Sequence, residues 1–421
     1  MIDILKICSA ESCTACGACA NVCPESCISF GENKYGEAHP AISLDLCIGC
    51  GCCVRVCPNN HELKFNWPIK CFAAKRIDVV KRRLSASGGI GAAIAEEMTA
   101  EGNRGVVYGT AYDNALTPCL QREEGSEALD KFKGSKYVQS VVPPGMLRRV
   151  KQDLEQGRKV AFFGTPCMVA GLKGFLGREY GNLLTVDLIC HGVCPTKYLH
   201  EEIDDLRRRY RLDPVSDIRF RGNDELLFKS TLRDLLFGRR PKTNYALSAW
   251  TEKNGKSRMT YSGDAEHNYY LAGFLKSLSL RESCYQCHYS RPERISDITI
   301  GDYIGLGEKT KFQTCKSNIS FVSVNTRRGL MFFEALLQNH EVEAEERPYE
   351  ERLAYAPGLR EPSIRHAARL LFLDCYREFG FCLAIRRVLS REFAARRNMR
   401  IKKFVLGLPR RVAKKICKVL G

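Results

Sequence analysis

Eleven of the chain's 22 cysteines fall within its first 57 residues, and eight of them repeat one pattern. The first copy reads Cys13-x2-Cys16-x2-Cys19-x3-Cys23-Pro24, and the second, 34 residues on, reads Cys47-x2-Cys50-x2-Cys53-x3-Cys57-Pro58. Three thiolates spaced in this way wrap one face of a cubane, while the fourth reaches across to the other cluster. Cys13, Cys16, Cys19 and Cys57 are therefore expected to hold one 4Fe–4S cluster. Cys47, Cys50, Cys53 and Cys23 are expected to hold a second. Zinc also takes paired Cys-x2-Cys, but four ligands from two pairs do not account for a triple run closed by Cys-Pro, twice over. Cys8, Cys27 and Cys52 fall outside the spacing and are read as non-ligands. A module this small has little apolar core, so the clusters should supply much of its folding energy.

A second set of thiols lies farther along. Cys167 follows Gly164-Thr165-Pro166, where Thr165 can cap and Pro166 can open a helix. A helix N-terminus there would lower the thiol's pKa. Cys190 ends the next apolar run, Leu188-Ile189-Cys190-His191, and Cys284-x2-Cys287 adds a chelating pair. If both runs are parallel strands, their ends open on one sheet edge, where α/β proteins place their sites. Four thiolates are the number a third cubane needs, with Cys194 competing with Cys190 for the fourth place. The bland alternative is unrelated buried thiols plus a zinc knuckle at 284–287; Cys119, Cys315, Cys375, Cys382 and Cys417 are read in that way.

Around these residues the pattern becomes ordinary α/β. IGAAIAEEMT, MLRRVKQDLE, PCMVAGLKGFL and TKYLHEEIDDLRRRY have helical composition, and GVVYGTAYD, KYVQSVV, RKVAFFG and NLLTVDLIC are β-rich. Their alternation predicts parallel βαβ units. From about residue 215 the chain turns more β-rich, with DIRFR, ISDITIGDY and NISFVSVN. Gly88-Gly89 before a helix could turn backbone N–H groups toward a phosphate, though a glycine pair there is more often only a turn.

The whole chain, 421 residues and 44% hydrophobic, suggests two or three domains. The net charge is +17, but from Arg386 onward thirteen Lys and Arg stand against the single acid Glu392. The excess is thus a tail property. It reads either as a solvated basic helix or as a helix that rests on a membrane surface or a partner. Nucleic acid is not expected, because no known binding motif supports it. With no signal peptide and no transmembrane run, the expected location is cytoplasmic, the tail touching the inner membrane face at most.

Five segments together carry a family resemblance: SASGGIGAAI (85–94), KGSKYVQS (133–140), VAFFGTPCMVAGLKGFL (160–176), NLLTVDLICHGV (182–193) and SCYQCHYSRPERISDITIGDYIG (283–305). In these the chain resembles the beta-subunit family of coenzyme F-420 hydrogenases and dehydrogenases, whose members include 7-hydroxymethyl chlorophyll a reductase. The resemblance covers roughly residues 10–340. It implies FAD beside a 4Fe–4S cluster held by Cys167, Cys190, Cys284 and Cys287. It also places the flavin against Ser87, Gly88 and Gly89, against Lys136 and Tyr137, and against Gly301 and Asp302. His191 becomes a candidate proton relay near that flavin. Met168, where glutamine is frequent, and Tyr303-Ile304, where an aromatic pair often follows the aspartate, depart from the family pattern and leave the second substrate open.

The expected fold is therefore mixed α+β. A two-cluster ferredoxin domain (1–63) and a linker (64–84) precede an α/β flavin- and iron–sulfur-binding domain (85–150 and 151–345). That domain has a β-rich second half and is followed by a helical, basic C-terminal region (346–421). The expected activity is an iron–sulfur flavoprotein oxidoreductase. It would pass electrons between a ferredoxin, or another redox subunit, and a two-electron substrate such as a deazaflavin. The alternatives are a relay subunit that feeds a partner enzyme without a substrate of its own, and a scaffold with structural clusters.

Overall fold

The computed structural model describes residues 7–212, 214–221, 245–253, 255–313 and 318–395. Cys315, Cys417 and the basic run from 396 to 421 lie outside the described residues.

The ferredoxin module contains α1 (Ala18–Val22), a hairpin of β1 (Ile28–Glu32) and β2 (Ala38–Ile42), and α2 (Cys52–Arg55). Gly17 and Gly51, the residues that open the two short helices, have φ of 79° and 71°. That left-handed backbone turns each cysteine run around its cavity without a Cβ clash.

The body is built on an eight-stranded mixed sheet. In chain order its elements are β3 (Lys70–Arg76), α3 (Val79–Arg83), α4 (Ile90–Thr99), β4 (Val106–Tyr112), β5 (Pro118–Glu123), α5 (Met146–Glu155), β6 (Val160–Phe163), α6 (Pro166–Leu176), β7 (Leu183–Leu188) and α7 (Thr196–Tyr210). After these come β8 (Val215–Arg219), β9 (Leu247–Lys253), β10 (Lys256–Gly263), α8 (Tyr269–Leu275), β11 (Ile298–Asp302), β12 (Ser320–Val324), α9 (Arg327–Gln338), β13 (Val342–Glu346), α10 (Tyr349–Leu353), α11 (Arg369–Phe379) and α12 (Phe381–Val388). The large sheet runs β13-β3-β12-β11-β7-β6-β4-β5, with β4, β6, β7 and β11 parallel at its centre. The predicted βαβ alternation is thus present, flanked by antiparallel edges.

Both faces of the sheet are covered. α4 and α9 bury Ile90, Ile94, Phe333 and Leu336 against one face. α5 and α6 bury Leu147, Val150, Val169 and Leu172 on the other, where Ala18 of the ferredoxin module joins the same core. A separate antiparallel sheet, β10-β9-β8, packs with α7, α8 and the C-terminal helices.

Two expectations need correction. Residues 64–84 are not a linker: β3 pairs with both β12 and β13 inside the large sheet. Its sequence, KCFAAKR, shows no alternation because four successive residues are buried, as befits a strand covered on both faces. KYVQSVV is not a strand either; its backbone makes only isolated bridges, Val138 to Cys194 and Val141 to Cys119. Among the described residues no helix is long and apolar enough to cross a membrane.

Candidate functional site

Four cavities gather residues singled out by the sequence; Thr14 lines two of them, and Thr165 lines one of those two and a further one. Cys23, Cys47, Cys50 and Cys53 line the first, together with Cys27 and Cys52. Cys13, Cys16, Cys19 and Cys57 line the second, with Cys8 beside them. Cys23 thus shares a cavity with cysteines of the second run, and Cys57 with those of the first. Cys50 is exposed, while Cys13, Cys19 and Cys57 are buried. The cavity that Cys50 lines therefore reaches the protein surface. The three thiols outside the spacing stand at the walls, and Cys27 Sγ is 3.3 Å from Cys23 Sγ.

The third cavity brings together Cys167, Cys190, Cys284 and Cys287. Cys167 is the second residue of α6, and Cys190 stands two residues beyond the end of the parallel neighbour β7. The loop that carries the other two is tied to the same edge by the buried Arg294, which donates to the carbonyls of Tyr289 and Leu188 at 3.2 Å each and pairs with Asp187. Cys194 does not line this cavity; it is fully buried 3.2 Å from Ser279 Oγ. Of the competing pair, Cys190 is the one in place.

The local chemistry suits an anionic group bonded to sulfur. Backbone N–H groups already point at the thiols: Gly192 to Cys190 at 3.3 Å and Val193 to Cys284 at 3.4 Å. Thr14 Oγ1, Arg281 Nε and Tyr289 Oη belong to side chains lining this cavity, and each is buried without a partner. A buried donor left unmatched costs free energy, so the cavity wants an acceptor. Burial, then the neighbouring thiols, push Cys167 up to about 11 and Cys190 up to about 12. Four such thiols would not ionise together without a cationic centre among them. The helix N-terminus expected to lower the Cys167 pKa is outweighed by burial. Thr165 makes no capping bond; its hydroxyl lies 3.1 Å from Cys167 Sγ instead.

The fourth cavity is the largest, about 310 Å³, a size suited to an organic cofactor. Ser87, Gly89, Lys136, Tyr137, Gly301 and Asp302 line it, as the resemblance implies. Gly88 does not. Its N–H donates to Ser320 Oγ at 2.9 Å, and a Cβ there would meet the Ala74 carbonyl at 2.4 Å. Gly88 is therefore a close-packing residue whose donor is already used. Asp302 is held by Arg221 at 2.7 and 2.9 Å and by the Tyr245 hydroxyl, so it positions a guanidinium whose Nε is itself unpartnered. Lys133 and Lys136 add charge at the wall, and Phe163, Met168, Ile189 and Ile300 supply apolar surface. The lining combines cationic groups with apolar surface, a mixture that suits a ligand with both a phosphate and an aromatic part.

His191 is not at this cavity. It lines the Cys167 cavity, with Nε2 near the Phe274 carbonyl (3.1 Å) and Ser277 Oγ (3.2 Å), and burial lowers its pKa. His191 thus stands beside Cys190 and outside the lining of the large cavity. The sequence also left unmarked the segment after residue 350. Gly358 lines the Cys167 cavity, where a Cβ would stand 2.7 Å from the Cys190 carbonyl, and Ser363 donates to the His191 carbonyl. Arg221, Arg281 and Tyr289 were missed because no spacing rule marks a lone arginine or tyrosine.

Fold and site together define an iron–sulfur protein of electron-transfer type, an oxidoreductase or a component of one. A family model for a 4Fe–4S dicluster domain matches residues 12–61. A second, for the C-terminal part of the beta subunit of coenzyme F420 hydrogenase/dehydrogenase, matches residues 157–349. The chain thus carries the C-terminal domain of the coenzyme F420 hydrogenase/dehydrogenase beta subunit behind an N-terminal 4Fe–4S dicluster domain. Comparison with curated proteins returned no match. Among solved structures the chain is similar to one from the F420-reducing [NiFe] hydrogenase complex of Methanosarcina barkeri. The identity is 15%, over 79% of this chain and 95% of that one, with a TM-score of 0.42.

Proposed function

We propose that the protein is an iron–sulfur flavoprotein oxidoreductase that moves electrons between a ferredoxin-like one-electron carrier and a two-electron substrate. The observation that carries this reading is continuity of the cavity walls. Thr14 lines both the Cys13 cavity and the Cys167 cavity, and Thr165 lines both the Cys167 cavity and the large one. In this reading Cys47, Cys50, Cys53 and Cys23 hold the outer 4Fe–4S cluster, and Cys13, Cys16, Cys19 and Cys57 the next. Cys167, Cys190, Cys284 and Cys287 hold a third, and the Ser87–Gly89 loop, Lys136, Tyr137 and Arg221 hold FAD. When bound, the clusters supply one-electron conduction and the flavin its conversion to pair transfer. The protein's own contribution is spacing, burial and charge. Arg221 would supply positive charge for a flavin's phosphates, joined by Lys136 when it is protonated, and the apolar residues would shield its ring from water. The second substrate, a deazaflavin or another two-electron acceptor, would reach the flavin through the same cavity.

The test is anaerobic purification with iron and flavin counted per chain. About twelve irons, four per cubane, and one FAD are expected. A Cys284→Ser/Cys287→Ser protein should keep its flavin, hold about eight irons, and no longer reduce that flavin from a donor feeding the ferredoxin domain. Equal iron in both proteins would eliminate the third cluster. Three clusters without flavin would turn the reading toward a relay protein that feeds a partner enzyme.

A further inference from the structure

The wall between the Cys13 cavity and the Cys167 cavity is unusual in what it offers. Tyr289 is 3% exposed, and its ring packs in the core that also touches Cys16, Cys167 and Cys287. Its hydroxyl has no partner. Thr14 stands between two ligands of the first run and lines both cavities, its hydroxyl also unmatched. Arg281 is 1% exposed and clamps the pieces together. Its Nη1 donates to Gln139 Oε1 and its Nη2 to the Cys13 carbonyl, each at 2.9 Å, while Gln139 Nε2 donates to the Thr14 carbonyl at 3.0 Å. The Nε of that same guanidinium is left over. Three buried donors, from two distant parts of the chain, thus line the Cys167 cavity and lack an acceptor.

Resting on the reading of the Cys167 cavity as a cluster site, we propose that Thr14, Arg281 and Tyr289 form a common outer sphere that sets the reduction potentials of the third cluster and of its ferredoxin neighbour. Hydrogen bonds and positive charge at cluster sulfurs favour the reduced, more negative state and raise the potential. Tyr289 and Arg281 line the Cys167 cavity without lining the Cys13 one, whereas Thr14 lines both. The expected pattern is therefore asymmetric. Removing the Tyr289 hydroxyl should lower the potential of the third cluster alone, and removing the Thr14 hydroxyl should lower both. Arg281 is a positioning residue as well, because it fixes the backbone on which Cys13 and Thr14 sit.

The experiment is a redox titration of the anaerobically purified holoprotein, followed by electron paramagnetic resonance, with iron counted on each sample. Signals are assigned by subtracting the spectrum of the Cys284→Ser/Cys287→Ser protein. Tyr289→Phe should retain the parent's iron and make reduction of the third cluster up to about tenfold less favourable, ~59 mV for a one-electron couple. Thr14→Val should shift the third cluster and the Cys13 cluster in the same direction. Parent iron content with unchanged potentials in both variants would overturn the shared outer sphere while leaving three clusters in place. A parent with only about eight irons would remove the third cluster itself, and this proposal with it. If Tyr289→Phe loses iron, Thr14→Val alone decides, by whether both potentials move.

Discussion

Replacing Gly171 by alanine separates two forces of opposite sign. In the interior of a helix, alanine is favoured over glycine by roughly 0.5–1 kcal/mol, so Gly171→Ala in α6 should stabilise the protein if nothing stands in its way. Something does. The new Cβ would lie 2.7 Å from Cys16 Cβ and 2.8 Å from Cys16 Sγ. Restoring ordinary contact needs a shift of about 0.7 Å, and overpacking of that kind costs typically 1–3 kcal/mol. Cys16 cannot yield freely when its sulfur is bonded to iron, so the strain falls on the cluster or on α6. A net loss of about 1–2 kcal/mol and a lowered iron content are expected. Gly174→Ala should behave alike, because its Cβ would meet the Val56 carbonyl at 2.4 Å. The assay is thermal unfolding without oxygen, followed through the cluster's visible absorption, with iron counted beforehand. A Gly171→Ala protein with full iron and a higher unfolding temperature would refute the close seating of the ferredoxin module on α6.

Three further outcomes are expected. Cys23→Ser should damage the cluster held mainly by Cys47, Cys50 and Cys53 and spare the one beside Cys13; spectroscopic loss of the Cys13 cluster alone would contradict the crossed ligation. Glu202 is fully buried, and burial raises its pKa to about 7. The folded protein then holds a proton that the unfolded chain releases, and stability falls as pH rises from the ordinary carboxyl range to about 7. Glu202→Gln should unfold at a higher temperature than the parent at pH ~8 and at a similar one at pH ~5; a gain equal at both would refute the reasoning. Burial likewise lowers Lys136 to about 7, so the cavity wall is more cationic below that value. FAD affinity measured by fluorescence should fall severalfold between pH ~6 and ~8 in the parent and stay flat in Lys136→Met.

The parts legible in the sequence are those whose geometry is local. A cubane takes three ligands from one short loop, so the two cysteine runs and Cys284-x2-Cys287 announce themselves by spacing. The strand-end position of Cys167 and Cys190 was readable because βαβ alternation fixes which strand ends share an edge. What escaped depends on distant contacts. Cys190 lines the cavity while Cys194 packs against Ser279, 85 residues away. Arg281 acquires meaning through Gln139, 142 residues away, and Arg221 through Asp302, 81 residues away. β3 was hidden for a different reason: a strand buried on both faces loses the alternation that identifies strands. The segment around Gly358 was overlooked because its contribution is backbone that lies close to Cys190, and a single glycine carries no signal of that.

α6 offers Cys167 at its N-terminus and seats both ferredoxin runs through Gly171 and Gly174, at Cys16 and Val56. The carrier domain is therefore docked as well as covalently joined. Exchange between separate redox proteins begins with a diffusional encounter, whose rate depends on concentration and, where charges steer it, on salt. With three clusters in one chain, as proposed, no such encounter would be needed. Transfer from the Cys13 side to the Cys167 side should be first order and indifferent to ionic strength, and any salt dependence of turnover should arise where the path meets solvent, at the Cys50 end or at the mouth of the large cavity.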